Sequence, residues 1–285
     1  MATFSGRAFF AKSTFSGRTI FDLATFSEEA YFSGEFNKET SFNYALFEGK
    51  ENVIFNVENL SCVSFMNTDL TGVRFEENAR WGLDNNNKDK FKTIDERNLE
   101  DKIKKYGNAK VNLASIKALY RSLRDNYEYR MRYDESSQFF IREMDLKRKY
   151  RTVHSENSQD RESTELVKKN DWFRRNLSIT GLYYHLFRYG ESLSRIALAI
   201  ALFFCLTTLF WVIYPSSFIP KTLFNQNLTT SVVVVNATER TLSDMFQIRS
   251  QDLAGMDYFI RISSLPLLGV IIIALKRKFE RKVRY

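Results

Sequence analysis

Along residues 1–80 an apolar side chain returns every five or six positions. Phe4, Phe10, Phe15, Phe21, Phe26 and Phe32 alternate gaps of six and five. The beat blurs, resumes at Phe42 and Phe47, skips once, and then runs in strict fives through Phe55, Leu60, Phe65, Leu70 and Phe75. Two places before nearly every one stands a small or β-branched residue, from Ala2, Ala8 and Ser13 to Val63, Thr68 and Val73; Glu58 breaks the rule. A period of five matches neither the 3.6 of a helix nor the two of a flat strand. A fixed short period predicts a solenoid whose units bury their apolar faces by stacking. These thirteen positions are its expected core, and the lapses at 33–41 and 48–54 read as loops.

Thr68-Asp69-Leu70-Thr71-Gly72 runs small residue, acid, Leu, two polar or small residues, and Ala24-Thr25-Phe26-Ser27-Glu28 and Ala2-Thr3-Phe4-Ser5-Gly6 come close. The stretch resembles the pentapeptide-repeat family. That resemblance implies a right-handed quadrilateral β-helix, four pentapeptides to a coil, with the Phe or Leu and the small residue turned inward. Residues 1–83 then give about four coils, roughly 20 Å long at ~4.8 Å per coil. The mixed fives and sixes imply a bulge at some corners. Trp81 reads as the plug of the last coil.

A polar linker follows at 84–90, then a helical region over 91–153. Ile94, Leu99, Ile103 and Tyr106 predict a short amphipathic helix. Ile116, Leu119, Tyr120, Leu123 and Tyr127 form a stripe at helical spacing, and Phe139, Phe140, Met144 and Leu146 form a second, with Asp134 as cap. The pair predicts an αα-hairpin. It resembles a single tetratricopeptide unit, which must pack on the rod or on a second copy. Residues 151–170 read as a flexible loop. Over 171–192, Trp172, Phe173, Leu177, Leu182, Leu186 and Phe187 alternate with Arg174, Arg175 and Arg188, which predicts an interfacial amphipathic helix on a bilayer.

Ile196–Tyr214 carries no charge, and its 19 residues reach roughly 28 Å as a helix, enough to cross the hydrocarbon core. A second span, about 257–276, joins Tyr258–Ser264 to the apolar Leu265–Leu275, and needs Arg261 to snorkel outward. Spans at about 195–214 and 257–276 make 194–285 a two-span membrane domain. The loop 215–256 between them is extracytoplasmic, with a β-like run at Val232–Val235 and glycosylation sequons at Asn227 and Asn236. Arg188 and Arg195 precede the first span, and Lys276, Arg277 and Lys278 close the second, so both termini are expected in the cytoplasm of a multi-pass cell-membrane protein. The order of parts is similar to microbial membrane proteins that place pentapeptide repeats before a module resembling the two-helix potassium channel. The Thr-x-Gly-Tyr-Gly filter of that module has no counterpart in Thr241–Asp257, where the only glycine is Gly255.

The net charge of +8 sharpens this picture. Residues 1–80 hold 7 bases and 11 acids, so the rod is at −4 and the basic excess lies in the rest. With two long apolar runs beside it, that excess points to a membrane surface rather than nucleic acid. Two cysteines and two histidines give no disulfide framework, and no metal or cofactor is expected. No phosphate-binding glycine loop, HExxH or GxSxG occurs, and the carboxylates are scattered, so no catalytic residue is assigned and an enzyme is not expected. The reading is a non-enzymatic integral membrane protein whose cytosolic rod binds an unidentified protein partner. The alternative is a channel-like homo-oligomer lacking a recognisable filter, with Thr207, Thr208, Ser263 and Ser264 as pore-lining candidates.

Overall fold

The computed structural model describes residues 2–83, 89–153, 166–214, 230–248 and 255–283. The expected linker at 84–88, the polar stretch 155–159, the loop 215–229 with Asn227, and residues 249–254 lie outside them. The chain divides into two compact units, Met1–Thr180 and Gly181–Tyr285.

The first unit begins as a parallel β-solenoid. Its strands are β1 (Thr3–Phe4), β2 (Ala8–Phe15), β3 (Thr19–Ile20), β4 (Thr25–Phe26), β5 (Ala30–Phe36), β6 (Thr40–Ser41), β7 (Leu46–Phe47), β8 (Val53–Asn56), β9 (Val63–Ser64) and β10 (Arg74–Phe75). They stack as three sheets, β1-β4-β7, β2-β5-β8-β10 and β3-β6-β9. Each turn sets its rings on those of the turn before, so the interior is four columns of phenylalanine. Phe4, Phe26 and Phe47 stack at 4.7 and 5.4 Å. Phe10, Phe32, Phe55 and Phe75 stack at 5.0, 4.6 and 5.6 Å. Phe15 lies 4.9 Å from Phe36, and Phe21, Phe42 and Phe65 follow at 4.8 and 5.2 Å. Offset stacking and edge-to-face contacts between columns add to the burial of such large side chains.

The turn is longer than a strict period of five implies. Phe4 pairs with Phe26 and Phe10 with Phe32, 22 residues on, where the gaps alternate six and five. Only Phe55 and Phe75, in the strict-five stretch, pair at 20. The solenoid therefore completes about three turns rather than four. At one corner each turn closes a β-turn: Ala24, Ala45 and Thr68 donate their N–H to the carbonyls of Phe21, Phe42 and Phe65. Leu23, Tyr44 and Asn67 hold φ of 60°, 56° and 57° there, as the third residue of a type II turn requires.

The segments 33–41 and 48–54 are loops only in part: 37–39 connects β5 to β6, and 48–52 is a turn. β5 runs through 33–36, and Phe36 completes a core column; after a 3₁₀ turn at Lys50–Asn52, β8 starts at Val53. The sequence beat fails because β2 bulges at Lys12 (φ 53°) opposite Gly34, so Phe36 follows Phe32 by only four residues. Gly34 holds φ of 127°, and a Cβ there would come within 2.1 Å of the Ser13 carbonyl oxygen. Gly34→Ala is expected to cost about 2 kcal/mol or more, read as a lower midpoint in chemical denaturation.

The last turn is sealed by helices α1 (Ile94–Tyr106), α2 (Leu113–Tyr129) and α3 (Tyr133–Lys149). Trp81 is fully buried between Phe75, Phe65 and Phe139, and its indole N–H donates to the Tyr127 hydroxyl at 3.0 Å. Asn126 donates to the carbonyls of Leu70 and Val73, Arg130 to that of Gly72, and Arg132 to those of Phe75 and Glu76. These side chains satisfy an edge that would otherwise stay open. The hairpin thus packs on the rod, and both belong to one continuous core. Asp134 is not the cap of α3. Met131 (φ 59°) turns the chain so that Arg132 takes the cap position, and Asp134 and Glu135 fall in the first turn at the positive end of the helix dipole. Nor is 151–170 a loop throughout: β12 (Tyr150–Val153) and β13 (Leu166–Lys169) pair antiparallel, and β11 (Asn108–Lys110) completes the sheet in the order β11-β13-β12. Four-residue strands are too short to show a period of two.

The expected single helix over 171–192 is broken into α4 (Trp172–Asn176) and α5 (Ile179–Phe187), with Leu177-Ser178 between them. The second unit contains α6 (Leu193–Ile213), α7 (Thr230–Met245) and α8 (Gly255–Val283). Leu193–Ile213 and Gly255–Lys276 are long and apolar enough to cross a membrane. Val232–Val235 is helical and not a strand. Ala237, Thr241, Asp244 and Met245 recur at helical spacing on the buried face of α7, and that packing overrides the β preference of four valines.

Candidate functional site

Chemistry gathers at two places, one in each unit. The first is a cleft of about 410 Å³ between a solenoid corner and helices α1 and α2. The corner supplies Asn43, Tyr44, Met66 and Asn67, α1 supplies Asp95 and Leu99, and α2 supplies Ser115 and Ile116. Thr93 caps α1, its hydroxyl accepting from the Glu96 N–H at 3.5 Å, which places Asp95 in the first turn. A polar ladder climbs the corner beneath it. Asp22 accepts from the Asn43 N–H at 2.9 Å, Asn43 Oδ1 accepts from the Met66 N–H at 2.8 Å, and Ser64 Oγ lies 2.8 Å from both Asn43 Oδ1 and Asp95 Oδ1.

Asp95 is 7% exposed, and its Oδ2 has no hydrogen-bond partner among the described residues. Burial pushes its carboxyl up to about 6; the Glu39 charge adds to this, and Ser64, Asp95's own backbone N–H and Arg97 oppose it. A folded-state value above the ordinary 3.8 means that Asp95 supports the fold when protonated. That support is complete below about pH 4 and is lost as the pH rises through about 6. Asp95→Asn removes the loss. It is expected to stabilise the protein by up to about 3 kcal/mol near pH 8 and to do little near pH 4, as read in thermal melts at the two pH values.

Glu96, the next residue, is different. It is fully buried, which raises its pKa, yet the Tyr120 hydroxyl donates to it, Arg142 lies 3.7 Å away, and Tyr120 also accepts from the Thr93 N–H at 3.1 Å. This network holds α1, α2 and α3 together. Nothing in the sequence separated Asp95 from the other scattered acids; only Thr93-x-x-Glu96, a helix-start signature, marks the place.

The second place is a set of four charges in the second unit, three of them buried and Arg261 half-buried. Arg240 on α7 meets Asp257 on α8 through both carboxylate oxygens, at 2.9 and 2.5 Å. Its guanidinium lies 4.5 Å from the centre of the Trp211 ring, within cation–π range. Arg261 on α8 donates to Asp244 on α7 at 3.1 Å. Arg261 therefore does not snorkel outward; a buried carboxylate one helix away satisfies it at lower cost than exposure to an apolar surround. Of the expected pore-lining residues, Thr207 bonds to carbonyls of its own helix, Thr208 to Thr241, and Ser264 to the Met245 carbonyl.

The expected core positions Phe26, Phe32, Phe42, Phe47, Phe55, Leu60, Phe65 and Leu70 are all buried. Phe4, Phe10, Phe15 and Phe21, in the first turn, are half-buried. Asn236 is exposed on α7. Trp172, Phe173, Ile179, Leu182 and Leu186 are exposed on α4 and α5, as are Leu198, Leu202, Leu206 and Leu209 on α6. Among the described residues, no three His, Cys, Asp or Glu side chains are grouped to hold a metal ion.

In comparisons with family models, curated proteins and solved structures, nothing matches this chain.

Proposed function

We propose that this chain is a non-enzymatic integral membrane protein whose solenoid is a cytosolic docking scaffold for a protein partner. The asymmetry of the solenoid carries this reading. Among the described residues, one end is closed by Trp81, Asn126, Arg130 and Arg132, whereas the other presents four half-buried phenylalanines beside the outer edges of β1, β2 and β3. Open edges flanked by apolar rings suit an extended segment that adds a strand and seats an apolar side chain on them. The four ring columns and the turns of 20 and 22 residues support assignment to the pentapeptide-repeat class with a right-handed quadrilateral coil.

The membrane half of the reading rests on α6 and α8, each of which has the length and apolar character to cross a membrane; in this reading they cross the cell membrane twice and leave both termini cytoplasmic. The exposed aromatic and basic residues of α4 and α5 then lie at the interface. A photo-crosslinking residue at Thr3 or Phe9, in the first turn, is expected to trap the same partner in cells, and one at Glu58, in the third turn, is expected to trap none. Equal capture from both turns would overturn the first-turn docking surface.

A second reading is favoured by one feature: α7 stands between the two candidate spans in sequence and is tied to the second by two ion pairs. A channel-like homo-oligomer uses a short helix at that place. Cation conductance by a purified tetramer in planar bilayers would support it, and a silent monomer or dimer would leave the spans as an anchor.

A further inference from the structure

We infer that the cleft between the solenoid corner and α1 is a binding site for a small organic cation, whose ammonium or guanidinium group pairs with Asp95. This site is separate from the first turn of the solenoid and requires no membrane. Three observations carry it. The space, about 410 Å³, falls in the range of small-ligand sites and holds far more than a water molecule. Among its polar lining groups is Asp95, nine-tenths buried, with Oδ1 2.8 Å from Ser64 Oγ and Oδ2 without a partner among the described residues. A buried carboxylate oxygen without a partner is an unsatisfied acceptor, and a charged donor that reaches it is its strongest complement.

The surround favours an organic ion over a metal. A hard cation takes six or more oxygen ligands with several carboxylates, but among the described residues only Asp95 and Glu39 are acids lining the cleft. The rest of the lining suits a carbon skeleton with hydrogen-bonding groups. Met66, Leu99, Val111 and Ile116 are apolar, and Asn43, Asn67, Asn98 and Asn112 bring amide groups that both donate and accept. Glu39, exposed at the rim, adds a second negative charge, opposed by Lys102 at the rim and by Arg97 on α1. A ligand of one positive charge neutralises Asp95 where the protein itself does not, and so relieves what its burial costs the fold at neutral pH.

Titration calorimetry on the full-length protein in detergent tests this with butylammonium, 1,4-diaminobutane and butylguanidinium, using butanol and butyrate as controls. At least one cation is expected to bind near pH 7.5 and to raise the melting temperature, while the controls do neither. Near pH 5, where Asp95 is largely protonated, binding is expected to weaken about tenfold. Asp95→Asn, a variant expected to fold at least as well, should weaken it tenfold or more, and the rim change Glu39→Gln should weaken it by about threefold. Failure of all three cations to bind would overturn the proposal. So would binding that butanol matches, or that survives Asp95→Asn unchanged.

Discussion

Phe42→Ala is expected to cost the N-terminal unit about 3–5 kcal/mol. Phe42 is fully buried, stacked on Phe21 and Phe65 at 4.8 and 5.2 Å and set edge-on to Phe32 and Phe55 at 5.2 and 5.3 Å. Rings above, below and on both sides are held by their own strands, so the emptied space has no way to collapse. Phe4→Ala, in the half-buried first turn, removes a ring with fewer neighbours and is expected to cost under about half as much. Urea denaturation of both variants, followed by Trp81 fluorescence with Trp172 and Trp211 changed to Phe, checks the contrast. Equal losses at the two positions would mean that the columns are not continuous.

Arg240→Met is expected to destabilise the second unit by about 3–5 kcal/mol, because it strands the carboxylate of Asp257 where almost no water reaches. Asp257 is 1% exposed and Arg240 6%. The double change Arg240→Met, Asp257→Leu removes both charges and is expected to recover most of that loss. Thermal unfolding in detergent of the wild type, both single variants and the double variant closes the cycle. Additive losses would show that the pair is not coupled. Asp244 lies against Asp257, so the Asp257→Leu single variant also reads the loss of that contact, and the double variant separates it from the Arg240 term.

Much of the first unit was legible because its signal repeats. Each Phe at the expected spacing is a core ring, and the six-five alternation is itself the 22-residue turn, divided among four columns. Phe36 was hidden because a bulge at Lys12 and a positive φ at Gly34 shift the beat by one residue. The helices of the hairpin were legible from their stripes, and the two candidate spans from their length and lack of charge. Helix α7 was not, since Val232–Val235 read locally as strand while its buried face is set by partners on α6 and α8. The cleft was illegible for a different reason. Asn43, Ser64 and Asp95 lie far apart in sequence, and only the stacking of turns and the cap at Thr93 bring them together. Arg261 looked like an anomaly in an apolar helix because its partner, Asp244, lies outside that helix.

Cysteine accessibility in intact cells tests whether the solenoid is cytosolic and carried by two membrane spans. With Cys62 and Cys205 replaced, single cysteines at Glu28, Asn236 and Phe279 are exposed in turn to a membrane-impermeant maleimide. Labelling is expected at Asn236 in intact cells, and at Glu28 and Phe279 only after lysis, with the protein resisting extraction by alkaline carbonate. Labelling of Glu28→Cys in intact cells, or release of the protein by carbonate, would contradict it.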